Sequence, residues 1–524
     1  MNFWNLKKTY TGDAPPKTTT GVYCVSGAFR DACYQLVSAF LITYITFSGL
    51  LDTSSNASYL AQMGVINLIL IICRIWDGIN DPIMGWIIEK FQFKWGKYKP
   101  WIIIGAVMNT IVVLVLFLAH PHGWGFVILF AIFYFLWDIA WTINDIAYWS
   151  MLPSLTKDEK RRNNITAIMQ IFISVGVFAV YGAVPMLVGA FEGVSAQTIY
   201  GLIAIVVVGL YLISQLLLIF ACKEHVRDIE EERKEQEDVR FKDMFSLFKK
   251  NDQFRINIIA ILINYLGGGV VVGFGMYYFY LMYGYGSGLG GAIQFMFTIM
   301  YAVGTLVSQF IYPLLAKKLT RKQIFWLSAC CTTLGYILVF ISGFPVFGPR
   351  PIADNFVFLL YLAGAIMFFG QGMASVAIII QMQSTIEYNQ WKTGERKEAI
   401  VSSLRALVAK WSSALQQGLI YLTLLGSGLY AVSQVISQSE GLLNSGLVTT
   451  QEMTEQIETA RATITSGQFM VLAVGMLLIP WILLMVSDYL SMYVFKIDEK
   501  LYAQICADLD NKQLASTEKI SANA

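Results

Sequence analysis

Charge is what this chain has little of. Of its 524 residues only 14% are Asp, Glu, Lys or Arg, where soluble domains carry about a quarter. With 56% hydrophobic residues and a mean hydropathy of +0.58, a soluble globular protein is excluded. The formal net charge of +2 identifies no partner, because in such a chain the position of the basic residues matters more than their sum; no nucleic acid is expected. Histidine is almost missing. His120, His122 and His225 lie in or near loops, where a solvated role is expected, and no hydrolytic or nucleophilic constellation occurs in the apolar runs, so an enzyme is not expected. The seven Cys, among them Cys24, Cys33, Cys73 and the pair Cys330-Cys331, lack metal-ligand spacing and fall mostly in apolar runs. They read as small buried hydrophobes, without a disulfide framework or a metal site. The first twenty residues are polar and hold no short apolar core before a small-residue cleavage site, which argues against a cleaved signal peptide.

Long apolar runs are what the chain has instead. Segments long enough to span a bilayer fall near 22–50, 63–88, 100–119, 124–152, 165–191, 199–221, 256–283, 290–316, 323–342, 355–386, 399–430 and 467–495. The loops test that count of twelve independently, since Lys and Arg favour the cytoplasmic side. The N-terminus (Lys7, Lys8, Lys17), the second connection (Lys90, Lys94, Lys97, Lys99), the fourth (Lys157, Lys160, Arg161, Arg162), the eighth (Lys317, Lys318, Arg321, Lys322), the tenth (Lys392, Arg396, Lys397) and the tail (Lys496, Lys500) are basic. Odd-numbered connections hold almost none. Both termini are therefore expected in the cytoplasm, with the protein multi-pass in the plasma membrane.

The sixth connection mixes charges densely (Glu230-Glu231-Glu232-Arg233-Lys234-Glu235) and separates two sets of six spans. The expected organisation is a six-helix bundle over 1–221, a cytoplasmic linker over 222–255, a second six-helix bundle over 256–495 and a tail over 496–524. Parallel repeats around a central loop follow the major-facilitator plan, in which two bundles rock about a midplane site. The fold class expected is thus an all-α membrane protein of twelve transmembrane helices in two six-helix bundles. The connection from about Ser433 to Ser466 is long and polar, helical in character from Thr449 to Ala462, and reads either as an external cap or as a mobile loop.

Ionisable residues inside the spans are costly, about 2.5–3.5 kcal/mol each on insertion scales, so each asks for a reason. The second span carries Arg74-Ile75-Trp76-Asp77-Gly78-Ile79-Asn80-Asp81-Pro82. Asp77, Asn80 and Asp81 are spaced to share one helical face, and a bound cation or a proton relieves the repulsion of two close carboxylates. Arg74 reads equally as a structural ion-pair partner. In the first span Arg30 and Asp31 are adjacent, about 100° apart on a helix, so at least one is expected to reach another group. The fourth span strings Trp137, Asp138, Trp141, Thr142, Asp145, Tyr148 and Trp149 along steps of three and four. A carboxylate beside an aromatic ring is how a protein grips a sugar, the ring covering its CH face and the carboxylate accepting its hydroxyls. Trp137, Trp141 and Tyr148 read alternatively as interface-belt aromatics. Arg405 and Glu387 are placed to snorkel. Lys410 lies deeper in the eleventh span, where it either neutralises acids or contacts a ligand.

RIWDGINDPIMGW, then WGKYKPWIIIG, then WTINDIAYWSMLP resemble the glycoside-pentoside-hexuronide:cation symporters over nearly all of the chain. The resemblance implies a major-facilitator fold and cation-coupled glycoside uptake. It puts the cation ligands on Asp77, Asn80, Asp81 and Thr142, the only metal implied being Na+ on Asp77 and Asp81. It puts the sugar site on Arg30 (Lys in the family's pattern), Asp31, Asp145, Trp149 and Lys410; apart from the resemblance, Asp138, Trp137, Trp141 and Arg74 stand as candidates for the sugar site or its charge network. Three features depart from the pattern: no basic residue stands near Met169-Gln170 in the fifth span, Ser375 replaces a Trp in the tenth, and Asp138 is an additional acid. The tail after Lys496 is short for the regulatory domain that some relatives carry, so that control is expected to be absent.

The expectation that follows is symport of a sugar with Na+, Li+ or H+, with no other cofactor. The partners expected are a small-molecule sugar, a monovalent cation and the lipid bilayer, the protein acting as a monomer. An Asp-Asn-Thr oxygen set leans towards sodium. The alternatives are a sodium-linked carrier of an amphipathic lipid, against which a polar, tryptophan-lined cleft without a lateral apolar groove argues, and a non-transporting membrane sensor.

Overall fold

The computed structural model describes residues 17–91, 93, 96–155, 159–188, 191, 193–222, 247–249, 251–285, 289–348, 350–394, 398–509 and 511. The basic stretch before Lys17, the charged centre of the linker (223–246) and the tail beyond 511 lie outside them, as do His225, Lys94, Lys157, Arg396 and Lys397. Among the described residues the chain is built of helices and forms no strand.

The helices are α1 (Lys17–Phe47), α2 (Asn56–Lys90), α3 (Lys99–Leu118), α4 (Trp124–Leu155), α5 (Glu159–Val188), α6 (Ala196–Ala221), α7 (Asp252–Tyr283), α8 (Gly290–Ala316), α9 (Arg321–Gly343), α10 (Val357–Thr393), α11 (Glu398–Ser427), α12 (Tyr430–Asn444) and α13 (Thr450–Ala462). A last span over Ser466–Val494 contains α14 (Ser466–Ala473) and α15 (Ile479–Tyr489), each followed by a short π-helical stretch. Hydrocarbon leaves no water for the backbone, so each apolar run closes its own hydrogen bonds as a helix. Polar caps mark where water returns. Ser55 and Ser195 accept from Ser58 N–H and Thr198 N–H at the starts of α2 and α6, and Thr320 and Thr449 form capping boxes with Gln323 and Glu452. α10 runs about two turns past the expected end, because its Tyr388–Thr393 stretch is amphipathic rather than apolar, and stops at the left-handed Gly394, φ 79°.

Ten of the described helices are long and apolar enough to cross a membrane, and α11 supplies an eleventh span, which passes the same test only when α12 is added to it. α1, 31 residues long, supplies the remaining span, its hydropathy lowered by Arg30, Asp31 and its Thr and Ser residues. α12 leaves α11 at a 94° bend through Gly428, φ 71°, and so turns away from the line of the span. The polar connection expected as a cap or a loop is therefore ordered into two helices.

The chain forms two compact units, 1–235 with 275–299 and 424–468, and 236–274 with 300–423 and 469–524. In the first, α1 packs on α5 and α6, α3 on α4 and α6, and α2 on α4. Small residues allow the close approaches, as is usual between membrane helices. A Cβ on Gly176 would stand 2.3 Å from Ala28 O, and one on Gly105 2.7 Å from Asn144 N. In the second unit α9 and α10 meet the same way, a Cβ on Gly335 falling 2.4 Å from Met367 Cα, over a core that includes Phe254, Ile261, Phe325, Met373 and Ile378.

Two expectations are corrected. A lateral apolar groove exists: α1, α5 and α6 line about 770 Å³ with Val25, Phe29, Val175, Ala183, Val206 and Leu210, because α5 and α6 splay while each packs on α1. Cysteine burial holds for Cys24, Cys33, Cys73 and Cys222, but Cys330 is exposed, with Cys331 and Cys506 half-buried. Cys330 lies on the face of α9 that also exposes Trp326, Leu334 and Ile337, as befits a surface meeting lipid. His120 and His122 are exposed, as expected.

The Gly176 contact yields a direct expectation. Gly176→Val should lower stability by about 1–3 kcal/mol through overpacking, read as a fall in thermal unfolding temperature in detergent. Gly209→Ala, with open space around the added methyl, should leave it unchanged or raise it by up to about 1 kcal/mol.

Candidate functional site

Arg30 is 1% exposed in the middle of α1, where an unpaired guanidinium would cost more than the fold can spare. Asp31 Oδ2 accepts from its Nε at 3.1 Å and its Nη2 at 2.8 Å, and Nη1 lies 2.9 Å from Asp145 Oδ1 on α4. Both neighbours are partly open, with 19% and 36% of their side chains exposed. Three rings surround the cation, with centroids 4.3 Å away for Tyr148, 5.4 Å for Trp141 and 5.6 Å for Trp149. Adjacency along α1 thus produced one half of the pairing, and α4 the other.

The α1–α4 seam is held just beside this cluster. Tyr23 and Tyr148 stack with centroids 4.5 Å apart, and each hydroxyl donates to the other's carbonyl, at 2.9 and 2.7 Å. A side chain at Gly27 would collide with the Tyr148 hydroxyl, at 2.6 Å. Trp137 and Tyr148 are fully buried, so neither belongs to an interfacial belt. The belt reading fails because each ring faces α1 rather than lipid.

A second cluster continues from Trp141. Tyr34, one turn beyond Arg30 on α1, packs against Trp141 at 4.6 Å and Trp137 at 5.6 Å, and its hydroxyl accepts from Arg74 Nη1 at 3.0 Å. The Arg74 guanidinium lies 5.9 Å from both the Tyr34 and Trp137 rings. Asp138 is buried on the same stretch of α4, 3% exposed. Tyr34 went unremarked in the sequence, although the step of four from Arg30 was the signal for it.

The acids of α2 come together with α4 through Thr142. Its hydroxyl lies 3.3 Å from Asp77 Oδ1 and 3.4 Å from Asp81 Oδ1. Asp77, Asn80 and Thr142 are buried and Asp81 half-buried. The Asn80 amide nitrogen is buried without a hydrogen-bond partner; turning the amide over would bring its oxygen to that spot. Among the described residues no group of three or more His, Cys, Asp and Glu could hold a metal ion.

The second unit holds the other candidates. Lys410 is half-buried on α11 and Ser375 half-buried on α10, the Ser375 hydroxyl lying 3.4 Å from Asn264 Oδ1. Arg405 and Glu387 are half-buried near helix ends. A further acid escaped the sequence reading: Asp488, 2% exposed, near the end of α15 ahead of the π-helical Leu490–Val494. A lone acid in an apolar run is its only signal.

The family described as MFS/sugar transport protein matches residues 31–499. The chain belongs to that family. Among curated relatives, the Lactose permease of Lactobacillus helveticus is 28% identical over 78% of this chain and 62% of its own length. The Raffinose carrier protein of Pediococcus pentosaceus is 27% identical over 76% of this chain and 61% of its own. The chain thus spans about three fifths of the length of these relatives. A crystal structure of a bacterial homolog to the human lysosomal transporter Spinster is similar with a TM-score of 0.61 at 12% identity, covering 94% of this chain and 99% of that one. That likeness speaks to fold alone. As a member of this family the protein is a multi-pass membrane protein, and the twelve spans read from the sequence agree with it.

The Arg30 arrangement makes a testable demand. Arg30→Gln should destabilise the protein by about 1–3 kcal/mol, less than a fully buried pair because both acids are partly solvated. Adding Asp145→Asn should restore part of the loss, and a double-mutant cycle on thermal unfolding measures the coupling.

Proposed function

We propose that the protein carries a sugar across the plasma membrane in symport with a monovalent cation, Na+, Li+ or H+, by alternating access of two six-helix halves, with both termini cytoplasmic and the monomer as the working unit. One observation carries the reading: the Thr142 hydroxyl sits against both Asp77 and Asp81, and Asp145 and Trp149, beside Arg30, lie one and two turns further along the same helix. Deep in α1, α2 and α4 the acids Asp31, Asp77, Asp81, Asp138 and Asp145 outnumber the bases Arg30 and Arg74, five to two. A monovalent cation supplies part of the missing positive charge.

In this reading a cation among Asp77, Asn80, Asp81 and Thr142 draws α2 and α4 together and sets the C-terminal end of the α4 stripe. The sugar then lies on the Trp149 ring, its hydroxyls donating to Asp31 and Asp145 and accepting from Arg30, with Lys410, Trp141, Trp137, Asp138 and Arg74 in the surrounding network. Coupling is reciprocal: whatever factor the cation adds to sugar affinity, the sugar adds to cation affinity. The names of the relatives, a lactose permease and a raffinose carrier, favour a glycoside. The oxygen set Asp, Asn, Thr favours sodium over a shared proton.

The lateral apolar groove between α1, α5 and α6 supports a second reading, transport of an amphipathic lipid. Counterflow in proteoliposomes with labelled glycosides and with a labelled lysolipid, with and without sodium, separates the two.

Two substitutions test the site itself. Asp81→Cys should abolish sodium stimulation of sugar binding while part of the sugar affinity remains; intact stimulation, measured by isothermal calorimetry, removes Asp81 from the cation site. Asp145→Asn should lose sugar binding by at least about tenfold, as expected for a charge-assisted hydrogen bond worth about 1.5–3 kcal/mol, and keep cation binding. Equal loss of both signals a folding defect instead.

A further inference from the structure

The polar segment between α11 and the last span is fastened to the first unit by contacts along its whole length. Gln434 Nε2 donates to Thr53 O at 2.9 Å, and Gly49 N–H to Ser437 Oγ at 3.1 Å. Asn444 is held from both sides, accepting from Ser195 Oγ at 2.9 Å and donating to Gln197 Oε1 at 2.8 Å. Arg461 on α13 donates to the last carbonyls of α7, Leu281 O at 3.0 Å and Met282 O at 2.7 Å. The backbones touch at Gly49, φ 70°, where a Cβ would stand 2.7 Å from Gly441 Cα.

At the centre of this seat is a carboxyl group. Glu440 is 4% exposed, and its Oε2 accepts from Ala196 N–H at 2.9 Å, in the first turn of α6. The titratable groups facing it are phenols: Tyr200 on α6, Tyr280 on α7 and Tyr285 just after α7. Among the described residues no basic side chain is one of the groups that act on it. His120 and His122 line the adjoining polar cavity of about 410 Å³ with Gln197, Ser437 and Asn444. Beyond the 94° bend, α12 lies outside the spans, and here burial pushes the Glu440 carboxyl up from 4.5 to about 7, the Ala196 N–H and Tyr285 pulling part of the way back.

We propose that residues 424–468 form an external latch on the first unit, closed while Glu440 carries its proton and loosened as that proton is lost. The seat accepts the neutral acid readily, since the Ala196 N–H is satisfied by a carbonyl oxygen and the phenols require no charge. An ionised carboxylate there has only the Ala196 N–H and Tyr285 to stabilise it and, among the described residues, no counter-cation, so it favours leaving for water. The docked form binds the proton more tightly than the released form. Docking is therefore strongest below about 4.5, weakens by about tenfold per pH unit from there to about 7, and changes little above that. The segment's two ends run on into α11 and the last span. Calling this side external rests on the proposed orientation with cytoplasmic termini; the latch itself does not depend on what is carried.

Hydrogen–deuterium exchange on the full chain in nanodiscs, without sugar or added sodium, tests it. Protection of 430–462, taken relative to the free peptide at the same pH, should fall by at least tenfold between about pH 5 and about pH 8. Glu440→Gln should remove that dependence, matching the native protein at the lower pH and exceeding it at the higher. Asn444→Ala should lower protection at both pH values while preserving the dependence. Protection that does not change with pH in the native protein, or a Glu440→Gln variant that keeps the native dependence, overturns the proposal.

Discussion

The first unit depends on a buried guanidinium. Arg30 cannot stay charged in the middle of a membrane helix unless acids reach it, and one of its two acids belongs to a different helix. That requirement pins α4 against α1 at the height where the aromatic residues lie, and the Tyr23–Tyr148 pair locks the seam immediately beside it. The rings around Arg30 are held in place by this packing.

α4 carries this organisation lengthwise. Asp138, Trp141, Thr142, Asp145 and Trp149 follow one another at steps of three and four, so a helix with no break between them joins the Thr142 contacts with α2 to the Arg30 cluster on α1. Trp141 belongs to both groups, touching Tyr34 on one side and Arg30 on the other. Thr142 and Trp149 are therefore joined by one stiff, unbroken element.

Particular residues show what was readable in advance. The ends of α3, α8 and the last span lie within a residue or two of where the apolar runs stop, because hydropathy and backbone closure act locally and along the sequence. The step of four between Asp77 and Asp81 likewise announced a shared face. Other features depend on a neighbour that the local sequence does not name. Tyr148 looked like a belt residue until α1 was seen opposite it, and Tyr34 gained its meaning from Arg74 on α2. The groove beside α1 arises from the divergence of α5 and α6, which no single helix encodes, and Glu440 is buried against the first turn of α6, far from it in the chain.

What the sequence by itself determined is the set of spans, their caps and the presence of more acid than base within them, since each follows from the cost of placing backbone and charge in hydrocarbon. Only the tertiary structure decided which acid meets which base, which rings enclose Arg30 and where the polar segment after α11 comes to rest. Those outcomes are set by which helix faces meet, through contacts between residues far apart in the chain.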